Sequence, residues 1–173
     1  MSRHFCFVYL GRYSGNNNSW GNNLAYWLYI YSGVVKITCK QTNPRYMSYN
    51  GAVYSKDGSV LYYAPMLSTL HKDSSEKATL EIKEGTSEIF FGALGCDSSF
   101  KGNYVCANNL DSNNMLKSYD KLYIPASVTK IDATTLEYIN LQPWEIEIAS
   151  ENSVYAVKTT TSGKTTKYEI VEK

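Results

Sequence analysis

The sequence predicts a mainly β protein: a short solenoid of stacked parallel strands, with β-hairpin insertions and a β cap at each end. Three observations predict it. Tyr is abundant, 16 of 173 residues, beside many Asn, Ser and Thr, as in short strands joined by polar loops. No long segment carries an apolar period of 3.6. One short pattern, aliphatic–x–Ile, recurs four times along the chain.

The bulk numbers fit one domain or one short repeat array. A hydrophobic fraction of 43% excludes general disorder. A net charge of +1 speaks against a nucleic-acid binder, which needs a basic excess. No apolar run reaches the roughly 18 residues of a membrane span, so no membrane insertion is expected. The run Phe5–Leu10 is too short for a signal-peptide core and no cleavage site follows it, so none is expected. The four cysteines (Cys6, Cys39, Cys96, Cys106) lack Cys-x-x-Cys spacing, and His4 and His71 lie far from them in sequence. Free thiols are expected, with a Cys96–Cys106 pair as the alternative, and no metal site.

Taken in order, residues 11–23 read as a Gly- and Asn-rich loop. Ala25–Tyr31 alternates with period two, placing Trp27, Tyr29 and Tyr31 on one face of a strand. Val34–Cys39 is a second strand, broken by Asn43-Pro44. Asp57-Gly58 between Ala52–Ser55 and Val60–Tyr63 is a strong hairpin signal. Residues 68–77 read as loop. Strands follow at 78–83, 120–125 and 145–149, the first two each trailed by a short β-prone stretch, 88–91 and 128–131. Residues 97–118 read as an Asn-rich insertion. One or two helical turns are expected at Ala133–Asn140, before Pro143. The chain closes with a hairpin, Ser153–Val157 and Thr165–Val171, around Ser162-Gly163-Lys164.

The four repeated segments are Val35-Lys36-Ile37, Leu80-Glu81-Ile82, Leu122-Tyr123-Ile124 and Ile146-Glu147-Ile148. The last two begin 24 residues apart, one turn of a β-solenoid or leucine-rich repeat. Stacked in parallel, their aliphatic residues make one core stripe, which no single unit could bury alone. Lys36, Glu81, Tyr123 and Glu147 then form an exposed ladder, with Lys36 beside Glu81 as a favourable cross-strand pair. A second duplication, Asn50–Ser55 and Glu151–Ala156, places a Val-Tyr strand after a repeat strand, then a turn and a return strand.

Three stretches resemble the BspA-like leucine-rich repeat family. Asn43-Pro44-Arg45-Tyr46, with Gly51-Ala52-Val53-Tyr54-Ser55-Lys56-Asp57-Gly58 and Leu61–Pro65, is similar to its hairpin. Leu80–Ile89 with Gly92-Ala93-Leu94-Gly95-Cys96 is similar to its repeat unit, and Leu122-Tyr123-Ile124-Pro125-Ala126-Ser127-Val128-Thr129-Lys130-Ile131 matches its Ile-Pro-x-Ser-Val-Thr-x-Ile segment. The resemblance covers roughly residues 34–148 as a short, degenerate array. It implies a right-handed leucine-rich-repeat solenoid at 34–150, an N-terminal aromatic cap or docking element at 1–33 and a hairpin cap at 151–173. It also implies adhesion or recognition without catalytic residues, as in bacterial surface adhesins.

Glu145 and Glu147 share a strand face, but glycoside hydrolysis needs carboxylates opposed across a cleft. Two His residues make a Ser-His-Asp arrangement improbable. Trp20, Trp27, Tyr29 and Tyr31 are either a stacking platform for a partner or glycan, or the filling of a cap. The expectation is a non-enzymatic module, without cofactor, that binds a protein partner or surface glycan through those aromatics and through Lys36, Glu81, Tyr123 and Glu147. Self-association is also expected, because sheet edges and open ends want covering. The alternatives are a virion or other assembly component, such as a decoration protein, and a carbohydrate-binding accessory domain or glycoside-active enzyme. The homes expected are a cell surface, the extracellular space or a virion.

Overall fold

The computed structural model describes residues 7–9, 36–65, 67–68, 79–94, 117–142 and 144–173. Within them the fold is mainly β, with one helix and no closed barrel.

The strands are β1 (Phe7–Tyr9), β2 (Lys36–Thr38), β3 (Tyr46–Tyr49), β4 (Ala52–Ser55), β5 (Val60–Tyr63), β6 (Leu67–Ser68), β7 (Thr79–Glu81), β8 (Glu88–Ile89), β9 (Lys117–Ser118), β10 (Lys121–Ile124), β11 (Lys130–Ile131), β12 (Glu145–Ile148), β13 (Tyr155–Ser162) and β14 (Thr165–Glu172). The helix α1 spans Ala133–Leu141.

Two ladders alternate along the chain. In the first, β7, β10 and β12 run parallel, with Leu80, Leu122 and Ile146 in one row and Glu81, Tyr123 and Glu147 in the next. In the second, β5, β8 and β11 run parallel, with Leu61, Ile89 and Ile131 in register. The chain passes from first ladder to second by equal turns, since Thr79 precedes Glu88 by the same nine residues that separate Lys121 from Lys130. Period-two alternation sends the aliphatic rows inward. Leu61, Ile89, Leu122 and Ile124 are all 0% exposed, and they join Leu80, Ile82, Ile131 and Ile146 in one core.

The turns stack as well. The carbonyl of Ser59 accepts the amides of Ser87 and Glu88, and that of Ser87 accepts those of Thr129 and Lys130. Ser87 and Thr129 add their hydroxyls to the same carbonyls. Thr86, Val128 and Asn152 occupy matching buried positions in successive turns. Asn152 ends the series differently from Val128. Its amide nitrogen donates to the carbonyls of Pro125 (3.1 Å) and Val128 (2.9 Å), and its oxygen accepts the amides of Val154 and Tyr155.

Hairpins flank both ladders. β3, β4 and β5 are antiparallel, with β4 turned into β5 by Lys56-Asp57-Gly58-Ser59. Gly58 takes φ +79, where a side chain would be strained, and a Cβ there would also crowd Lys83. The Asp57 carboxylate accepts the hydroxyls of Ser55 and Ser59 and the Ser59 amide, which hold its carboxyl down at about 2. At the other end β13 and β14 form a long hairpin. The Val-Tyr duplication has a structural meaning here. The Tyr54 hydroxyl accepts the amide of Lys83, and the Tyr155 hydroxyl accepts the amide of Ile131. Each hairpin thus covers a backbone donor of a neighbouring unit.

α1 starts at Asp132, whose carboxylate accepts the amides of Thr134 and Thr135. Its Asn140 side chain makes two bonds to the backbone of Ile170, donating to the carbonyl and accepting the amide. That pairing pins the base of β14.

One expectation fails. Of the expected repeat segment Val35-Lys36-Ile37, the described residues Lys36 and Ile37 do not join the first ladder, and Lys36 has no place beside Glu81. β2 pairs instead in parallel with β1, Lys36 opposite Phe7, and the Ile37 amide donates to Gly51. The strand β5, arriving from the hairpin, begins the second ladder. A three-residue pattern sets which side chains face inward but not which neighbour the strand takes. The expected strand at 25–31 and the loop at 11–23 lie outside the described residues, as do residues 69–77 of the expected loop 68–77 and 97–116 of the expected insertion 97–118. The remaining ends are not loop, since Ser68 of β6 pairs antiparallel with Lys117 of β9, and Leu67 with Ser118. Cys39 is a free thiol, while Cys6, Cys96 and Cys106 lie outside the described residues.

Burial raises the Tyr54 hydroxyl to about 12, and Tyr63, also buried, is raised further. Both folded values exceed the ordinary value of 10.0. Their contribution to stability is therefore intact below pH 10 and lost as pH rises toward about 12. Tyrosinate absorbance in an alkaline titration should show a late fraction that appears together with unfolding. If every tyrosine titrates near its ordinary value with the fold intact, the buried assignments are wrong.

Candidate functional site

The outward face of the first ladder gathers the charges that the strand pattern placed there. Glu81, Tyr123 and Glu147 lie side by side across β7, β10 and β12, and the next outward row is Thr79, Lys121 and Glu145. Neighbouring strands are about 4.8 Å apart, so Glu81 and Glu147 stand about 10 Å apart with Tyr123 between them. Both glutamates are exposed and Tyr123 is half-buried.

Lys121 organises one edge. It ion-pairs with Glu147 and lies 3.9 Å from Glu145. Glu145 and Glu147 thus share one ammonium on an open face, the arrangement of a charge ladder rather than of two carboxylates opposed across a cleft. The turns bring further carboxylates toward Tyr123. Partial desolvation raises the Tyr123 hydroxyl, and the negative charges of Glu84, Glu147, Glu151 and Glu81 push it the same way, so it remains a neutral donor. Glu151 accepts the Ser150 hydroxyl at 2.8 Å, which lowers its carboxyl and keeps it ionised. The result is an acidic sheet face with an aromatic hydrogen-bond donor at its centre.

Of the residues expected to bind a partner, Glu81, Tyr123 and Glu147 are brought together. Lys36 sits in β2, in a different sheet. Trp20, Trp27, Tyr29 and Tyr31 lie outside the described residues. Sequence reasoning missed Glu84 and Glu151, whose signal is positional: each follows its ladder residue by three or four places, in the turn. It also missed Lys121, two places before Tyr123 and therefore on the same face.

A second aromatic group sits on the other sheet. Tyr46, Tyr62 and Phe90 form a row with centroid distances of 5.8 and 5.6 Å and steep interplanar angles. These rings are packed edge to face on one another rather than laid flat as a platform. The Lys130–Glu88 ion pair at 2.8 Å lies beside them. Among the described residues, no three His, Cys, Asp or Glu side chains group so as to hold a metal ion. No helix among them is long and apolar enough to cross a membrane.

No protein-family model matches the chain, and no curated protein matches it. Among solved structures, a leucine-rich repeat protein from Eubacterium ventriosum is similar at 16% identity and a TM-score of 0.33. The match covers 58% of this chain and 26% of that one.

Proposed function

We propose that this chain is a non-enzymatic binding module: a short leucine-rich-repeat-like solenoid, spanning about residues 34–150, that docks a basic protein segment on the outer face of its first ladder. The observation that carries the reading is the register of Glu81, Tyr123 and Glu147, which lines up an acidic row around one half-buried tyrosine. Aromatic anchors of this kind concentrate binding energy, while surrounding charges set the partner's sign and steer its approach. The equal turns and two alternating parallel ladders support the solenoid, and Asn152 with the β13–β14 hairpin supports a cap at residues 151–173. The partner is a protein with exposed lysines or arginines, met at a cell surface or within an assembly.

The test is a titration of the full chain with a fluorescent peptide of alternating Lys and Thr. Binding should weaken as salt rises. Glu81→Gln with Glu147→Gln should weaken it by about tenfold, and Tyr123→Ala by at least as much, with the circular dichroism unchanged. Affinity indifferent to all three substitutions would remove this face from the account.

A further inference from the structure

The long C-terminal hairpin is built unlike the rest of the chain. Its base is anchored, with Tyr155 and Ile170 in the core and Asn140 clipped to Ile170. Beyond Val157 the core stops. Every residue from Lys158 to Lys167 is exposed, yet the strands stay paired to the tip, Ser162 opposite Thr165. This outer part extends about 15 Å. Five threonines supply strand preference without apolar surface, and the hydroxyls of Thr161 and Thr166 meet across the strands at 3.4 Å.

The arm is basic. Lys158, Lys164 and Lys167 are exposed, no acidic residue lies between Val157 and Tyr168, and among the described residues none of the three lysines makes an ion pair. An isolated two-stranded ribbon is only marginally stable in water, so an ordered arm without a core gains most by docking on another surface. Like charge disfavours pairing one arm with another arm. The surface of opposite sign is the first-ladder face, where Glu81 and Glu84 are exposed, make no ion pair among the described residues, and flank Tyr123, which offers an aromatic contact.

We infer that the basic hairpin arm of one copy docks on the acidic, Tyr123-centred face of a second copy, joining chains head to tail. This rests on the binding-face reading above and names its occupant. Arm and face are different patches, so the contact is heterologous and builds a ring or an open string rather than a two-fold dimer. The ladders stay intact because both patches are already outside the core.

Sedimentation velocity of the full chain, over a range of concentrations at low and high salt, tests it. Mass should grow with concentration at low salt and fall to the monomer at high salt. Lys158→Glu with Lys164→Glu and Lys167→Glu should weaken association about tenfold or more, and so should Glu81→Lys with Glu84→Lys. Mixing the two variants should restore it, because each then offers the other a complementary charge. A chain that stays monomeric throughout, or an association untouched by both variants, overturns the inference. If the chain is monomeric but still binds the Lys–Thr peptide through Tyr123, the occupant is a basic segment of another protein, and self-docking alone falls. If the peptide fails as well, the binding-face reading falls with it.

Discussion

Asn152→Ala will lower the unfolding free energy by about 3 kcal/mol or more, because it removes four hydrogen bonds from a buried site. The side chain is 1% exposed, so water does not readily replace it. The Val128 carbonyl loses the Asn152 donor, the Pro125 carbonyl keeps only the Val128 amide at 3.3 Å, and two amides, of Val154 and Tyr155, lose their acceptor. Those four groups belong to two successive turns, so the loss loosens the hairpin base from the preceding unit. Ser153→Ala, at the exposed neighbouring position, should stay within about 0.5 kcal/mol of the parent. Urea unfolding of the two variants side by side decides the matter. Equal midpoints would mean that Asn152 is not the bridge between turns.

Leu122→Ala is the second large effect, a loss of about 3 kcal/mol. Leu122 is 0% exposed and stands between Leu80 and Ile146 in the central strand of the first ladder. A cavity there is walled by strands on both sides, whose hydrogen-bonded spacing limits collapse. The same substitution at Leu141, which is 64% exposed at the end of α1, should cost little. A mild effect at Leu122 and a large one at Leu141 would contradict the register.

The sequence carried much of this arrangement because the aliphatic–x–Ile pattern fixes which side of a strand faces the core. Leu80, Leu122 and Ile146 therefore align as the pattern requires, and Glu81, Tyr123 and Glu147 follow as their outward neighbours. Asp57-Gly58 and Ser162-Gly163-Lys164 marked their hairpins through the backbone freedom of glycine, with Gly58 and Gly163 both at positive φ. The helix was legible as one or two turns at 133–140 from the absence of Gly and Pro within it and from Pro143 soon after, while its cap, Asp132, went unread.

Other features were not legible, for physical reasons. Val35-Lys36-Ile37 carries the same inward pattern, but the partner of a strand is chosen by the segments around it, and here β1 takes that place. The approach of Glu84 and Glu151 to Tyr123 depends on the path of each turn in space. The hairpin was expected to end its first strand at Val157, yet β13 runs on to Ser162 through exposed threonines. Alternation of apolar and polar residues, the usual signal of a strand, vanishes where a ribbon has solvent on both faces.

The most direct test of the binding account is to follow the backbone amide shifts of the isotope-labelled chain by NMR while adding the Lys–Thr peptide. The account predicts changes concentrated at Thr79–Glu84, Lys121–Ile124 and Glu145–Glu151, fading as salt is raised. Changes centred instead on Tyr46, Tyr62 and Phe90, or none at saturating peptide, would contradict it.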